Sequence, residues 1–147
     1  MTRILLVALV LLLAACGTQP AAPTPLADGV YEVLAVEPEA HRLKPITPGT
    51  RIVPFDHAYL RGGAERPVEY VLLRERGAAP LDLAKAPQQS TMGDRPVLLI
   101  TLTTSAGEAL EALTAKAERA AVVVDGAIVT MHRIRVPIEG GRLQVSC

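Results

Sequence analysis

The stretch Val30-Tyr31-Glu32-Val33-Leu34-Ala35-Val36 has the Val and Tyr content of a half-buried pleated surface and predicts a first strand, which Pro38 closes. Residues 38–67 are then broken by Pro45, Pro48, Pro54 and Pro67 and by Gly49, Gly62 and Gly63. Short strands around Arg51 to Pro54 and irregular loops are both compatible with that pattern. Val68 to Leu73 predicts a second strand, and residues 77–96 return to turn-rich sequence with Leu81 and Leu83 as core contacts. The pattern becomes more regular after Arg95. Val97 to Leu102 is a continuous apolar run of strand length, which predicts a central strand covered on both faces. Ser105 and Glu108 have capping-box spacing and predict a helix start. Ala106, Leu110, Leu113 and Ala117 recur at spacings of three and four and form the stripe that faces a sheet, with Glu111, Lys116 and Glu118 outward. Ala121 to Val124 predicts a buried strand, Asp125-Gly126 a type I′ hairpin turn, and Ala127 to Ile138 the partner strand. Val129 and Met131 share one parity, whereas Ile134, Val136 and Ile138 share the other, so a bulge is expected near His132. Gly140-Gly141 turns the chain into a last short strand, Leu143 to Val145, with its apolar residues on one face. The fold class expected is α+β, an antiparallel sheet with one main helix, in which a β-α-β-β C-terminal unit is preceded by strand and loop segments.

The first residues follow a different rule. Met1-Thr2-Arg3 supplies a positive start, Ile4 to Leu13 an aliphatic run, and Leu13-Ala14-Ala15-Cys16 the small residues that a signal peptidase needs before a cysteine. The run is about half of the roughly 20 residues a helix needs to span a bilayer. This stretch resembles the lipobox of bacterial lipoproteins, which implies cleavage after residue 15 and lipid chains on Cys16. Two or more acyl chains hold firmly, since each buried methylene contributes about 0.8 kcal/mol. Gly17 and Thr18 follow, with no Asp of the kind that retains lipoproteins at the inner membrane in enteric-type bacteria. The expected address is therefore the outer membrane facing the periplasm, with the extracytoplasmic face of the inner membrane as the alternative. Pro20, Pro23 and Pro25 mark residues 16–29 as a lipidated cysteine and Pro/Ala-rich tether. At about 3.1 Å per residue it would lift the domain roughly 30 Å from the bilayer. Residues 30–147 are expected to form a single domain.

Composition narrows the function. Removal of the first 15 residues leaves 14 basic against 15 acidic side chains, so no strong field is available to attract nucleic acid. The chain has no Trp and a single Phe, Phe55, which leaves few stacking platforms for sugars or single strands. With Cys16 lipidated, the other cysteine, Cys147, has no intramolecular partner and no disulfide framework is expected.

Residues 97–147 carry, in order, the strand Val97 to Leu102, Thr114 in the second half of the helix, Val122-Val123-Val124-Asp125-Gly126, Ile134 with Ile138, Gly140-Gly141, and Gln144-Val145-Ser146. Together these features resemble the head subdomain of the first periplasmic domain of the SecD and SecF protein-export membrane proteins. The segment from Glu69 to Ala84 more weakly resembles what precedes that head. The chain departs from the pattern at Glu118-Arg119, where relatives usually carry a Gly and a basic residue, at His132, usually Pro, and at Cys147, where a Gly is usual. No run is long enough for the membrane helices that make those subunits proton-coupled machines. The resemblance therefore implies a fold and an extracytoplasmic role beside emerging polypeptides, and carries no transport activity with it.

No enzyme site is expected. His41 and His57, with Asp56, flank a Pro-rich loop without metal-ligand spacing and are read as solvated, as His132 is read as a surface or structural histidine. Ser90, Ser105 and Ser146 lack a nucleophile motif, and Gly62-Gly63 and Gly140-Gly141 lack a phosphate-loop pattern. Glu65, Glu69 and Glu75 are read as solvent-facing, and Arg133, Arg135 and Arg142 as a solvated strand face or a small basic patch for an acidic partner. The leading expectation is a non-catalytic, lipid-anchored interaction module with no cofactor and no bound metal. It would bind extended polypeptide along an exposed sheet edge, or an envelope protein partner. The alternatives are a small-ligand or metal-binding envelope protein using the 41–67 loop region, and an unrecognised hydrolase. Cys147 is a candidate for an intermolecular disulfide, since an oxidising envelope would leave it the one free thiol. A non-reducing gel of the mature protein is expected to show a dimer band that reductant removes, and monomer alone under oxidising conditions would count against it.

Overall fold

The computed structural model describes residues 24–43, 47–56 and 67–146. Along the chain run β1 (Gly29–Glu37), a 3-10 turn (Ala40–Arg42), β2 (Thr50–Phe55), β3 (Glu69–Pro80), β4 (Gln88–Met92), β5 (Arg95–Thr101), α1 (Thr104–Thr114), β6 (Arg119–Val124), β7 (Ala127–Arg133) and β8 (Arg142–Ser146). Among the described residues the class is α+β, mostly antiparallel sheet with one α-helix. A larger sheet has the order β2-β3-β1-β6-β7 and a smaller one the order β4-β5-β8. Every strand pairing is antiparallel. β5, α1, β6 and β7 follow one another in the chain, but β5 pairs with β4 and β8 while β6 and β7 belong to the larger sheet.

The larger sheet is buried on both faces, because its central strands carry apolar residues at both parities. Val30 pairs with Val122 and Tyr31 with Ala121, so adjacent positions supply opposite cores. On the inner face Tyr31, Val33, Phe55, Val71, Leu73 and Val123 cluster. The edge strands β2 and β7 approach each other around them, so the sheet curls. On the outer face Val30, Ala120 and Val122 meet Ala106, Leu110, Leu113 and Ala117 of the helix stripe. That stripe is buried throughout, and Glu111, Lys116 and Glu118 are exposed. Ile100 and Leu143 bring the smaller sheet onto the same core.

Local details differ from the sequence expectation in informative ways. The helix is capped by Thr103, whose hydroxyl accepts from the Ala106 N–H at 3.4 Å, and not by Ser105, which already lies in the first turn. Glu108 then falls too far into the helix for a capping box. β7 stops at Arg133 and does not run to Ile138. Pro137 has no N–H for a ladder, and Val136 is exposed, whereas Ile134 and Ile138 still pack on the outer core. The bulge sits at Val129 and not near His132, because Val122 pairs with Thr130 and Val123 with Ile128. The extra residue lets Val129 pack on the outer core while Ile128 and Met131 serve the inner one. β5 is central in its sheet, and its second face is covered only in part. Leu98, Ile100, Leu143 and Val145 face the outer core, and at the opposite parity Val97 is buried while Leu99 is exposed. Leu83 is exposed too, tied only by a backbone bridge to Leu102.

β3 continues to Pro80, well beyond Leu73, through a bulge between Arg74 and Ala79 in which Gly77 adopts φ +77°. A second bulge at Leu34 lets Val33 and Val36 both face the inner core. Residues 24–28, the end of the expected tether, are part of the folded unit. Leu26 is buried in the inner core, and the Asp28 carboxylate accepts from the Asp125 N–H at 2.8 Å. The Asp125-Gly126 turn has φ 51° and 76°, as a type I′ turn requires.

The segment after β7 is held by the Ile134 N–H, which donates to the Glu118 carbonyl at 2.8 Å, and by one buried hydroxyl. Thr114 Oγ1 donates to the Leu110 carbonyl at 2.8 Å and accepts from the Ile138 N–H at 2.9 Å. Nearby, Gly107 of α1 packs on Gly141, so that a Cβ on Gly107 would come within 2.9 Å of the Gly141 Cα. Thr114→Val keeps the shape but leaves the Ile138 N–H without its acceptor, an expected loss of about 1–3 kcal/mol. Hydrogen exchange is expected to show faster exchange of the Ile138 amide in Thr114→Val and near-native protection in Thr114→Ser.

Candidate functional site

β4 is one of the two outer strands of the smaller sheet, and all five of its residues are exposed. It is joined to β5 by Gly93-Asp94, with Gly93 at φ +62° in the first loop position, the conformation a type II′ hairpin turn requires. Met92 pairs with Arg95 across this turn, and Ser90 and Gln88 pair with Val97 and Leu99. In an antiparallel ladder hydrogen-bonded and non-hydrogen-bonded pairs alternate. The closing pair Met92 and Arg95 bonds, so Thr91 opposite Pro96 and Gln89 opposite Leu98 do not. Pro96, which has no N–H, fits that assignment. The N–H and C=O groups of Gln89 and Thr91 therefore point away from β5, along an edge that no other described strand pairs.

Protein edges are normally blunted by charge, proline, bulges or cover. β2 carries Pro54 and curls toward β7, and β7 carries the Val129 bulge. β4, Gln88-Gln89-Ser90-Thr91-Met92, has no charge, no proline and no register break. A groove of about 550 Å³ lies beside it, lined by Gln89, Ser90, Thr91, Pro96, Val97 and Leu98. Polar backbone groups at the edge and a partly apolar trough next to them can hold the backbone and alternate side chains of an extended chain.

The residues singled out from sequence are scattered. Cys16, Cys147, His57, Glu65 and Gly62-Gly63 lie outside the described residues, as do the signal residues 1–15 and the tether up to residue 23. His41 is exposed, with Nε2 3.2 Å from the Glu39 carboxylate, which Arg42 also meets at 3.2 Å. His132 Nε2 lies 3.0 Å from Thr130 Oγ1. Among the described residues no group of three or more His, Cys, Asp or Glu side chains could hold a metal ion. Arg133 and Arg142 stand in different sheets, Arg133 opposite Arg119 and Arg142 opposite Thr101. Ser90 lies on β4, Ser105 in the first turn of α1 and Ser146 at the end of β8. No described helix is long and apolar enough to cross a membrane. Comparison with protein-family models, with curated proteins and with solved structures finds no match.

Glu75 is not simply solvent-facing. It meets Arg51 through two bonds of 3.1 Å, Nε to Oε1 and Nη2 to Oε2, and Arg51 also donates to the Thr24 carbonyl. The pair borders Tyr31, whose hydroxyl donates to the Ala27 carbonyl at 2.7 Å. Burial holds the Tyr31 phenol above its ordinary value of 10.0, the Glu75 carboxylate raises it further, Arg51 opposes this and Asp28 adds to it. This cluster clamps the start of the folded unit. A folded-state value raised above the unfolded one favours the neutral phenol in the fold, so its contribution is complete below about pH 10 and is lost as pH rises through the folded value. Alkaline denaturation followed by circular dichroism is expected to show this loss in the wild type. In Tyr31→Phe that alkaline component is absent, while stability at neutral pH falls by about 1 kcal/mol for the missing hydrogen bond.

Proposed function

We propose that this chain is a lipid-anchored envelope protein, held through acylated Cys16 at the outer membrane facing the periplasm, that works as a non-catalytic interaction module. Its β4 edge takes an extended polypeptide segment as an added strand. The observation that carries the reading is the open, uncharged edge at Gln89 and Thr91, whose outward backbone groups have the geometry of a ladder with one strand missing. Bonds to backbone groups read no sequence, which suits a module that meets many unfolded segments, and the trough along Pro96 to Leu98 adds contact with alternate side chains. The lipobox supports the address. The features from Val97 to Ser146 that resemble the SecD and SecF head support a role beside emerging polypeptides, with lipid and tether in place of membrane helices.

The test uses the acylated full chain in phospholipid vesicles and, as probe, a reduced and carboxymethylated unfolded protein. Thr91→Pro removes an outward N–H without breaking a β4–β5 bond, because Thr91 faces Pro96 in a non-bonded pair. Capture of the probe is expected to weaken about tenfold in Thr91→Pro, and Cys16→Ser is expected to leave the membrane fraction of cells. Capture unchanged by Thr91→Pro, or a membrane fraction unchanged by Cys16→Ser, would overturn the corresponding half of the reading.

A further inference from the structure

We infer that, when no partner strand is present, β4 pairs with β4 of a second copy of this chain in a two-fold antiparallel arrangement centred on Ser90. The inference rests on the reading of β4 as an accepting edge and names an occupant for it. In this register Gln89 of one copy faces Thr91 of the other, and these are the residues whose backbone groups point outward, so each finds its complement across the axis. Ser90 faces Ser90 of the second copy in a non-hydrogen-bonded pair, where Cα atoms stand about 4.5 Å apart. Gln88 faces Met92. No charged residue lies on β4, so the pairing brings no like charges together, and the contact is isologous and closes on itself.

A second observation favours a copy as occupant. Met92 is 59% exposed, and Gln88, Ser90 and Met92 share one face of β4 with the exposed Leu99 opposite Gln88. Two-fold pairing lays Met92 of each copy beside Gln88 of the other on that face, where it covers part of both apolar side chains. A strand pair this short buries less than a standard interface, so association in solution is weak. Anchoring both copies in one membrane raises their effective concentration without any new contact. The two β4 strands then occupy each other's edges until an extended polypeptide displaces one of them.

A charge exchange at the two-fold axis tests the register. The acylated full chain in density-matched detergent, under reducing conditions that remove any contribution from Cys147, is followed by sedimentation equilibrium. The wild type is expected to show a concentration-dependent dimer. Ser90→Lys and Ser90→Glu, each of which sets like charges against one another at the axis, are expected to be monomeric, and an equimolar mixture of the two to dimerise again. A monomeric wild type over the whole concentration range, single variants that dimerise as the wild type does, or a mixture that stays monomeric would each overturn the inference. Probe capture separates this failure from that of the proposed function. Capture is read on the wild type in phospholipid vesicles, so that it does not depend on a substitution in the groove that Ser90 lines. A wild type that captures the unfolded protein but stays monomeric removes the dimer alone, and a wild type that captures none removes the function.

Discussion

Burial of β1 and β6 on both faces is the constraint from which the rest of the architecture follows. Val30 and Val122 face one side, Tyr31, Ala121 and Val123 the other, and neither set can be left in water. One side is covered by the sheet itself, which curls until β2 and β7 approach each other. The other is covered by α1 and the smaller sheet. The two cores differ in composition accordingly. Tyr31 and Phe55 fill the inner one, whereas the outer one is aliphatic, and Ala106, Ala117 and Ala120 let the helix sit close. Burying a single Leu such as Leu110 contributes about 1.5–3 kcal/mol, so the loss of either covering layer exceeds what a domain of this size can absorb.

Irregular segments must satisfy their backbone groups by other means, and here a few side chains do so. Thr114 accepts from Ile138, Asp28 accepts from Asp125, and Arg51 donates to the Thr24 carbonyl. These bonds pin the two segments that leave the larger sheet, residues 24–28 and 134–141. The Gly107 and Gly141 contact works similarly through sterics, since only two residues without Cβ allow the helix and the entry to β8 to approach so closely. The smaller sheet is thereby attached to the larger one through α1, the Gly140–Gly141 turn and shared apolar contacts.

Elements with a buried face were legible from the amino-acid pattern, because burial imprints a period. The stripe Ala106, Leu110, Leu113 and Ala117, the run Ala121 to Val123 and the Asp125-Gly126 turn all take the form their spacing implies. Bulges were harder. Parity showed that β7 must change face, but Val129 and Met131 share a parity, and the true extra residue, Val129, is separated from Met131 only by Thr130, a polar residue buried at 4%. The helix cap was displaced for a similar reason, since Thr103 and Ser105 both carry a suitable hydroxyl and only the strand end before α1 decides between them. β4 was not legible at all. Its five residues have no buried face, so no alternation marks them, and the site that carries the proposed function lies on that strand.

That coincidence has a physical basis. A strand with every side chain exposed contributes little to the hydrophobic stability of the fold and is held chiefly by its ladder to β5 and the Gly93-Asp94 turn. Segments with few buried contacts open at low free-energy cost, and they are the ones that can exchange partners without unfolding the domain. The larger sheet has no such freedom, because each of its central strands is committed on two faces and two edges. An accepting edge is therefore best carried by the smaller sheet, on a strand that buries no side chain in either core, where adding a neighbour completes a ladder and disturbs no packing. The uncharged sequence Gln88 to Met92 keeps that edge open to a partner of any sequence, and the same neutrality makes it complementary to itself.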